Sequence, residues 1–136
     1  YQPRLVKEIY SSDGKIRETI EPVLKNRTIS EEASGILASL LEGVVANGSG
    51  SKAYIEGYRV GGKTGTAQKF ENGAIAQGKY VSSFLGFFPA NYPQYLALVI
   101  VDEPQGAYYG SVVAAPAAAE IFRGIIELKN IAPYQT

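Results

Sequence analysis

The stretch Lys63-Thr64-Gly65-Thr66 combines side chains that are suited to acyl-transfer chemistry. The ammonium of Lys63 can hold a carboxylate or assist a proton transfer, and the hydroxyls of Thr64 and Thr66 can hydrogen-bond a substrate carboxylate. Gly65 has no side chain, so it lets another backbone approach closely. In an extended conformation this stretch would form one edge of an acyl-transfer site. The attacking serine would have to come from elsewhere.

The same region also satisfies the phosphate-binding P-loop pattern, in the residues from Gly57 to Thr64. The apolar run from Leu96 to Glu103 resembles the strand that often binds the nucleotide's magnesium. A phosphate-binding loop must, however, follow a buried strand and open a helix. Here the turn-rich stretch Gly48-Ser49-Gly50-Ser51 precedes the pattern, where a buried strand is needed. Gly65 and Asn72-Gly73 follow it, and a helix between these two turn signals would be too short and would lack an apolar stripe. This context disfavours an NTPase.

Composition limits the chemistry that the chain can perform by itself. Its 136 residues are 46% apolar, which is enough for one domain with a core. The sequence contains no His and no Cys, which excludes a Ser-His-Asp triad, a Cys nucleophile, a disulfide and the commonest zinc sites within it. Lys and Arg total 13 and balance 13 Asp and Glu, so we expect no nucleic-acid partner. The longest apolar run, Tyr95 to Val101, is too short to span a bilayer.

The sequence also lacks Met, which a chain carries from its start codon until it is trimmed. We therefore interpret Tyr1 as an internal start and expect the chain to be a fragment or a processed piece of a longer protein. Nothing at its beginning resembles a signal peptide, although a fragment would have lost one.

A hairpin and a helix are predicted before the Lys63-Thr64-Gly65-Thr66 stretch. Residues with high β propensity on both sides of Ser11-Ser12-Asp13-Gly14 predict a hairpin over about 4–21. Ser30, followed by two acids, predicts the start of a helix over about 30–47. The apolar residues of this helix recur at steps of three and four, which predicts a stripe packed in the core: Ala33, Ile36, Leu37, Leu40, Leu41, Val44 and Val45.

Three strands and a helix are predicted after it. The strands lie at about 58–70, 80–88 and 95–102, and the residues from Glu71 to Lys79 are expected to form a loop. Because the last two strands are continuously apolar, we expect both of their faces to be covered. Pro116 suits the first turn of a helix over about 114–129, whose predicted buried stripe is Ala118, Ile121, Phe122, Ile125 and Ile126. The order predicts an α+β fold, an antiparallel sheet with helices packed on it, and places Lys63 at the sheet's edge.

These features resemble the C-terminal part of the transpeptidase domain of class B penicillin-binding proteins, the serine D,D-transpeptidases that cross-link peptidoglycan. The motifs of that family are S-x-x-K, S-x-N and K-T-G. The third stands here as Lys63-Thr64-Gly65, continued by Thr66-Ala67-Gln68 as in many class B members. The resemblance extends from about Pro3 to Ile131 and implies the C-terminal portion of the penicillin-binding protein and serine β-lactamase-like fold. After the K-T-G motif, the segments that carry the resemblance are residues 83–90, 99–104 and 109–116.

The resemblance implies a role for each residue of the motif. Lys63 would help organise the proton network and the carboxylate end of the ligand. Thr64 and Thr66 would bind that carboxylate through their hydroxyls, and the Thr66 N–H would supply an oxyanion donor. We therefore expect Lys63 and Thr66 to be catalytic, and Lys63, Thr64, Gly65 and Thr66 to bind substrate, with no metal and no cofactor.

Several neighbouring residues have structural interpretations of comparable or greater weight. Gly61 and Gly62 either relieve a bent strand or allow the substrate to approach. Tyr58, Tyr80 and Tyr108 could line the groove, although core or rim packing is the preferred interpretation for each.

Two of the family's motifs are missing. Literal S-x-x-K strings occur from Ser12 to Lys15 and from Ser49 to Lys52, but both are turn sequences. The nucleophile needs a rigid helix start, with the lysine one turn along to take its proton. No S-x-N string occurs in the sequence. We therefore expect the nucleophile in an upstream portion of the same protein, which carries S-x-x-K and S-x-N, and we expect this chain to be inactive alone.

The resemblance further implies partners and a location. The ligands would be peptidoglycan stem peptides and β-lactams. The protein would lie at the extracytoplasmic face of a bacterial cell membrane, held only by an N-terminal anchor outside this chain. A β-lactam sensor or a non-enzymatic binding module of the same fold would use the same K-T-G edge, so this alternative stays open, and the P-loop NTPase is the weaker one.

Overall fold

The structure is a computed structural model that describes residues 1–134. It contains two compact units, divided after Glu31. Strands and helices form an antiparallel sheet with helices packed on it, which confirms the predicted fold class. No helix within residues 1–134 is both long enough and apolar enough to cross a membrane.

The first unit contains a small hairpin. Strand β1, Glu8–Tyr10, pairs antiparallel with β2, Ile16–Thr19. The Ser11 N–H donates to the Lys15 carbonyl at 2.9 Å, and Gly14 turns the chain with a φ of 81°. The strands cover only Glu8–Tyr10 and Ile16–Thr19 of the predicted hairpin over 4–21, and a register shift between Ile9 and Tyr10 interrupts their pairing. Every side chain of this unit is exposed or half-buried, so the hairpin has no core of its own.

The second unit begins with helix α1, Glu31–Asn47, whose bounds agree with the predicted helix within one residue. The N–H groups of Gly48 and Gly50 both donate to the Val44 carbonyl, at 3.1 and 3.0 Å, and end the helix in a tight turn. A Cβ on Gly48 would lie 2.9 Å from the same oxygen, so this turn requires glycine. A short 3₁₀ helix, Ser51–Ala53, follows.

The predicted buried stripe of α1 is wrong over most of its length. Only Val45 is buried, whereas Ile36 and Leu40 are 56% and 63% exposed. The reason is that the helix joins the core only at its last turn, where Val45 packs in the same cluster as Phe84. The regular spacing predicted the helix correctly, but in the described part of the chain the large side chains of its earlier turns, Ile36, Leu37 and Leu40, are exposed.

Three strands form the main sheet in the order β3, β4, β5, with neighbours antiparallel. They are β3, Gly61–Glu71; β4, Ala74–Phe88; and β5, Tyr95–Asp102. Strand β3 is therefore an edge of this sheet, as predicted for the strand that carries Lys63.

The predicted loop from Glu71 to Lys79 is wrong. Strands β3 and β4 continue through this region and connect at Asn72-Gly73, whose φ angles are 51° and 80°. Positive φ at both central residues is typical of a type I′ turn, which joins two strands with only two residues. Phe70 can therefore pair with Ile75 directly beside the turn, and Lys79 forms an ion pair with Glu71 at 2.9 Å.

One face of the sheet packs against the last helices. Helix α2, Gly110–Val113, leads directly into α3, Ala115–Lys129. The buried stripe of α3 does not include Ile121, which is 46% exposed because it lies beside that stripe, contrary to the prediction. The core cluster of this unit comprises Val45, Ala53, Ile55, Val60, Phe84, Phe88, Ala114, Ala115, Ala118, Ala119 and Phe122.

The other face of the sheet carries exposed apolar side chains. Along β5, residues alternate between half-buried and exposed, and Leu98 is 55% exposed. The expectation that both faces of β4 and β5 are covered is therefore wrong for the described residues, since α3 covers only one of them. We define the apolar sheet face as Leu85, Leu96, Leu98 and Ile100.

Candidate acyl-transfer site

The four residues of the motif lie consecutively on the edge strand β3, and their side chains alternate between its two faces. Lys63 lies opposite Leu85, so its side chain leaves β3 on the same side of the sheet as the apolar sheet face. Thr64 lies opposite Phe84, which is buried in the core on the α3 side. The Lys63 side chain and the two threonine side chains therefore leave the strand from opposite faces, and the Lys63 Nζ reaches back to the Thr64 carbonyl.

Lys63 is exposed and has one hydrogen bond to its own strand. Its Nζ donates to the Thr64 carbonyl at 2.8 Å. Because an ammonium has three hydrogens, this contact leaves two of them for other acceptors. Lys63 can therefore serve an incoming ligand or catalytic group without losing its present contact.

Thr66 is oriented by a backbone group from another element. Its Oγ1 accepts a hydrogen bond from the Gly110 N–H at 3.0 Å. An amide N–H can only donate, so the Thr66 hydroxyl must accept here, and its own hydrogen remains available for a ligand. This arrangement suits a carboxylate, which only accepts hydrogen bonds.

The start of α2 can reach Thr66 because residue 110 is glycine. A Cβ at this position would lie 2.3 Å from the Ser83 carbonyl and 2.4 Å from the Gly65 carbonyl. The Ser82 hydroxyl donates to the Tyr108 carbonyl and holds the preceding segment on the sheet. The close approach expected at Gly65 is thus made by Gly110, which the sequence analysis did not identify as a site residue. No local signal in the sequence identifies it, because the need for glycine comes from carbonyls of β3 and β4.

Thr64 has a side-chain neighbour that was also missed. Its Oγ1 lies 3.3 Å from the Oγ of Ser49. Ser49 occupies the turn after α1, as predicted for that S-x-x-K string, and Ser12 likewise lies in the turn of the first hairpin. Neither serine begins an α-helix, so neither has the setting that the nucleophile requires.

The glycines before the motif make room for aromatic rings. A Cβ on Gly61 would lie 2.5 Å from the Phe87 ring, and one on Gly62 would lie 2.4 Å from the Phe84 ring. Both glycines are buried. The structure thus gives these glycines a structural role other than the predicted relief of a bent strand: they make room for the two phenylalanine rings.

Three tyrosines stack near the beginning of α2. The ring centroids of Tyr80 and Tyr108 are 4.1 Å apart, and those of Tyr108 and Tyr109 are 4.5 Å apart. A hydrogen bond with Tyr109 raises the pKa of Tyr108. Tyr58 instead packs on the core and donates to the Ile131 carbonyl at 2.9 Å. These positions agree with rim packing for Tyr80 and Tyr108 and core packing for Tyr58.

A charged cluster ties the far end of β3 to the end of β5. The Nζ of Lys69 lies 3.0 Å from Asp102 and 2.8 Å from Glu103. The hydrogen bond to Glu103 is the main cause of the raised pKa of Lys69, and it also lowers the pKa of Glu103. These are the acids that the NTPase alternative assigned to magnesium. Because the P-loop pattern continues into strand β3 and not into a helix, the structure contradicts that alternative.

A second ion pair joins α1 to the residues before β3. Arg59 makes two hydrogen bonds to Glu42, each of 2.7 Å, and its guanidinium lies 5.5 Å from the centre of the Tyr134 ring. The hydrogen bond from Arg59 lowers the pKa of Glu42. Arg59 is four residues before Lys63, so this ion pair holds the chain just before β3, the strand that carries Lys63.

Comparison with known proteins identifies one family over most of the chain. Residues 1–123 match the penicillin-binding protein transpeptidase domain. Stage V sporulation protein D from Bacillus subtilis is 41% identical over 98% of the chain, which spans 21% of that protein. The probable peptidoglycan D,D-transpeptidase PenA from Neisseria gonorrhoeae is 39% identical over 76% of the chain, and the match spans 18% of it. The chain thus spans about a fifth of the length of these relatives.

Solved structures share the fold. The transpeptidase domain of penicillin-binding protein 3 from Burkholderia pseudomallei matches 89% of the chain and 38% of its own, with a TM-score of 0.73 and 31% identity. Penicillin-binding protein 3 from Mycobacterium tuberculosis, complexed with ampicillin, matches 98% of the chain and 32% of its own, with a TM-score of 0.76 and 26% identity.

Proposed function

Because this chain belongs to the penicillin-binding protein transpeptidase domain family, we propose that it supplies the K-T-G strand of a serine-type D,D-transpeptidase. The whole enzyme cross-links peptidoglycan stem peptides through an acyl-serine intermediate and binds β-lactams. The observation that carries this proposal is the exposed edge strand β3, on which Lys63 and the oriented hydroxyl of Thr66 follow each other within four residues.

In this proposal the two threonines bind the carboxylate of the ligand. The Thr66 hydroxyl is supported by the Gly110 N–H and donates its hydrogen to that carboxylate. The Thr66 N–H stabilises the oxyanion of the tetrahedral intermediate, and one such donor contributes on the order of 3 kcal/mol. Gly65, between the two threonines, keeps the strand open to the ligand.

Lys63 acts on the opposite side of the strand. Its exposed ammonium assists proton transfer and helps hold the carboxylate end of the ligand. The upstream portion of the protein supplies the serine and its lysine base, as well as the S-x-N motif. The serine oxygen attacks the carbonyl, the C–N bond breaks, and the leaving nitrogen receives a proton. The amine of a second stem peptide then displaces the serine.

The upstream portion is the macromolecular partner in this proposal, and it covers the apolar sheet face. That the face is exposed on four large side chains supports such a partner. The protein acts at the extracytoplasmic face of a bacterial cell membrane, with its anchor in the upstream portion. These assignments follow from the proposed activity, since peptidoglycan is the substrate.

The first experiment is mass spectrometry after incubation with a penicillin. We expect the full-length protein to carry one adduct, on a serine outside this chain, and the isolated chain of 136 residues to carry none. The isolated chain is the matched control because it has the K-T-G strand without the nucleophile. An adduct on a serine of this chain, or no adduct on the full-length protein, would contradict the proposal.

A second measurement separates a transpeptidase from a β-lactam sensor of the same fold. After acylation by a thioester substrate, the full-length protein should transfer the acyl group to an added amine with the stem-peptide acceptor group. A sensor would be acylated by a β-lactam but would not transfer to the amine. This result would replace the enzymatic function with a sensing one.

A further inference from the structure

The turn after α1 holds a hydroxyl beside the K-T-G strand. The Oγ of Ser49 lies 3.3 Å from the Oγ1 of Thr64, and the two residues are 15 positions apart in the chain. Ser49 is exposed, so burial does not explain its position. The contact joins the turn after α1 to a residue of the K-T-G motif on β3.

The backbone around Ser49 is fixed on both sides. The N–H groups of Gly48 and Gly50 both donate to the Val44 carbonyl, and the Ser51 N–H donates to the Gly48 carbonyl at 3.2 Å. Gly50 is buried, and a Cβ there would lie 3.2 Å from Val45 Cγ2 and 3.4 Å from the Phe84 ring. The turn is thus packed against the core, which limits the movement of Ser49 relative to Thr64.

The direction of the hydrogen bond between the two hydroxyls follows from what a ligand requires. If Thr64 donates to Ser49, it has no hydrogen left for a carboxylate. If Ser49 donates to Thr64, the Thr64 hydrogen can point to the carboxylate, which only accepts. A bound carboxylate therefore selects the order Ser49 to Thr64 to carboxylate, and the charged acceptor strengthens the chain of hydrogen bonds.

The arrangement parallels the one at Thr66. There the donor is the Gly110 N–H, which cannot reverse its direction. When a bound carboxylate sets the order Ser49 to Thr64, both threonines on this face of β3 accept from a donor behind them, one from a side chain and one from the backbone. This leaves both threonine hydrogens available to one ligand.

We propose that Ser49 is a positioning residue that orients the Thr64 hydroxyl toward the carboxylate of the ligand. The inference rests on the proposed penicillin-binding function and adds to it a residue outside the three motifs. Ser49 does not contact the reacting atoms. It acts through Thr64, so its removal weakens carboxylate recognition and leaves the other steps of acylation in place.

The test compares a penicillin with its neutral methyl ester in the full-length protein. Ser49→Ala should lower the second-order rate of acylation by the penicillin roughly three- to tenfold, as expected for one lost hydrogen bond. Acylation by the ester should change little, because the ester has no carboxylate to recognise. Ser49→Thr keeps the hydroxyl and should retain the parental rate with both compounds.

Ser51→Ala is the matched control, since it makes the same change two residues further along the same turn. Ser51→Ala should leave unchanged the ratio of the acylation rate with the penicillin to the acylation rate with its methyl ester. That ratio is measured within each variant, so it does not depend on the fraction of folded protein. An unchanged ratio in Ser49→Ala would overturn the inference. Absence of acylation in the parent protein would instead refute the proposed function.

Discussion

At the residue scale, the site depends on how many hydrogens each polar group has left for a ligand. Lys63 uses one of its three on the Thr64 carbonyl, and Thr66 keeps its own because it accepts from Gly110. These contacts orient the groups without saturating them. A site that must bind an anion strongly in the transition state needs such prepared donors.

Replacement of Lys63 tests its catalytic role directly. We expect Lys63→Ala in the full-length protein to lower the rate of acylation by a penicillin at least about tenfold, because it removes an interaction that strengthens in the transition state. The free energy of unfolding should change by less than about 0.5 kcal/mol, since the Lys63 side chain is exposed. Lys52→Ala, at another exposed lysine, should change neither quantity. Acylation of Lys63→Ala at the parental rate would remove Lys63 from the site.

The sequence suggested Lys63, Thr64 and Thr66 as candidate site residues, but not the groups that contact them. Those three residues are consecutive or nearly so, and their types carry the chemistry. Ser49 and Gly110 come from a turn and from a helix start, and they reach β3 only in the folded chain. Residue 110 must be glycine because a Cβ there would collide with two carbonyl oxygens, and this requirement leaves no signal in the neighbouring sequence.

At the element scale, the beginning of β3 is held by α1 through one ion pair. Arg59 donates a hydrogen bond to each carboxylate oxygen of Glu42, and both side chains are partly shielded from water. Two parallel hydrogen bonds fix an orientation better than a single ionic contact does. The position of α1 is therefore linked to that of the strand that carries Lys63.

This pair gives a prediction about pH. Because the pKa of Glu42 lies below its ordinary value of 4.5, its ionised form stabilises the fold above that pH, and this contribution is lost as the pH falls through the folded-state pKa. Glu42→Gln should thus lower stability by about 1 kcal/mol at neutral pH. The difference from the parent should shrink as the pH falls below 4.5 and through the folded-state pKa, as measured by thermal unfolding of the full-length protein.

Glu56→Gln is the control for this effect, since Glu56 is exposed and lies in the same connection before β3. It should change stability little at either pH. If Glu42→Gln and the parent differ equally at neutral and acidic pH, the ionised pair is not the cause of the difference.

The elements themselves could be predicted where their signals are local. The helix at 31–47 followed from its periodicity, and the edge position of β3 followed from the order of elements. The connection at Asn72-Gly73 was missed because the two glycines between Glu71 and Lys79 suggested a loop, although Asn-Gly is itself a two-residue hairpin signal. Exposure of most of the α1 stripe was missed for another reason: periodicity identifies an apolar face, but the partner of that face is not encoded within it.

At the scale of the whole molecule, the second unit covers one face of its sheet and leaves the other open. The core lies between the sheet and α3, while the apolar sheet face is exposed. On α1, Leu37 lines a groove together with Phe87 and Leu96, which extends this open surface from the sheet to the helix. Contiguous apolar surface of this kind marks an interaction site in soluble proteins.

We therefore predict that the isolated chain self-associates through the apolar sheet face, or binds the upstream portion of its own protein when that portion is present. Light scattering should show oligomers, and a hydrophobic dye should bind. Leu98→Glu should reduce both signals, because it places a charge at the centre of the face. Leu128→Glu makes the same change on α3, at an exposed position, and should leave both signals as they are. A soluble monomer that binds no dye would mean that the chain closes its own core, and the proposed need for an upstream partner would then be refuted.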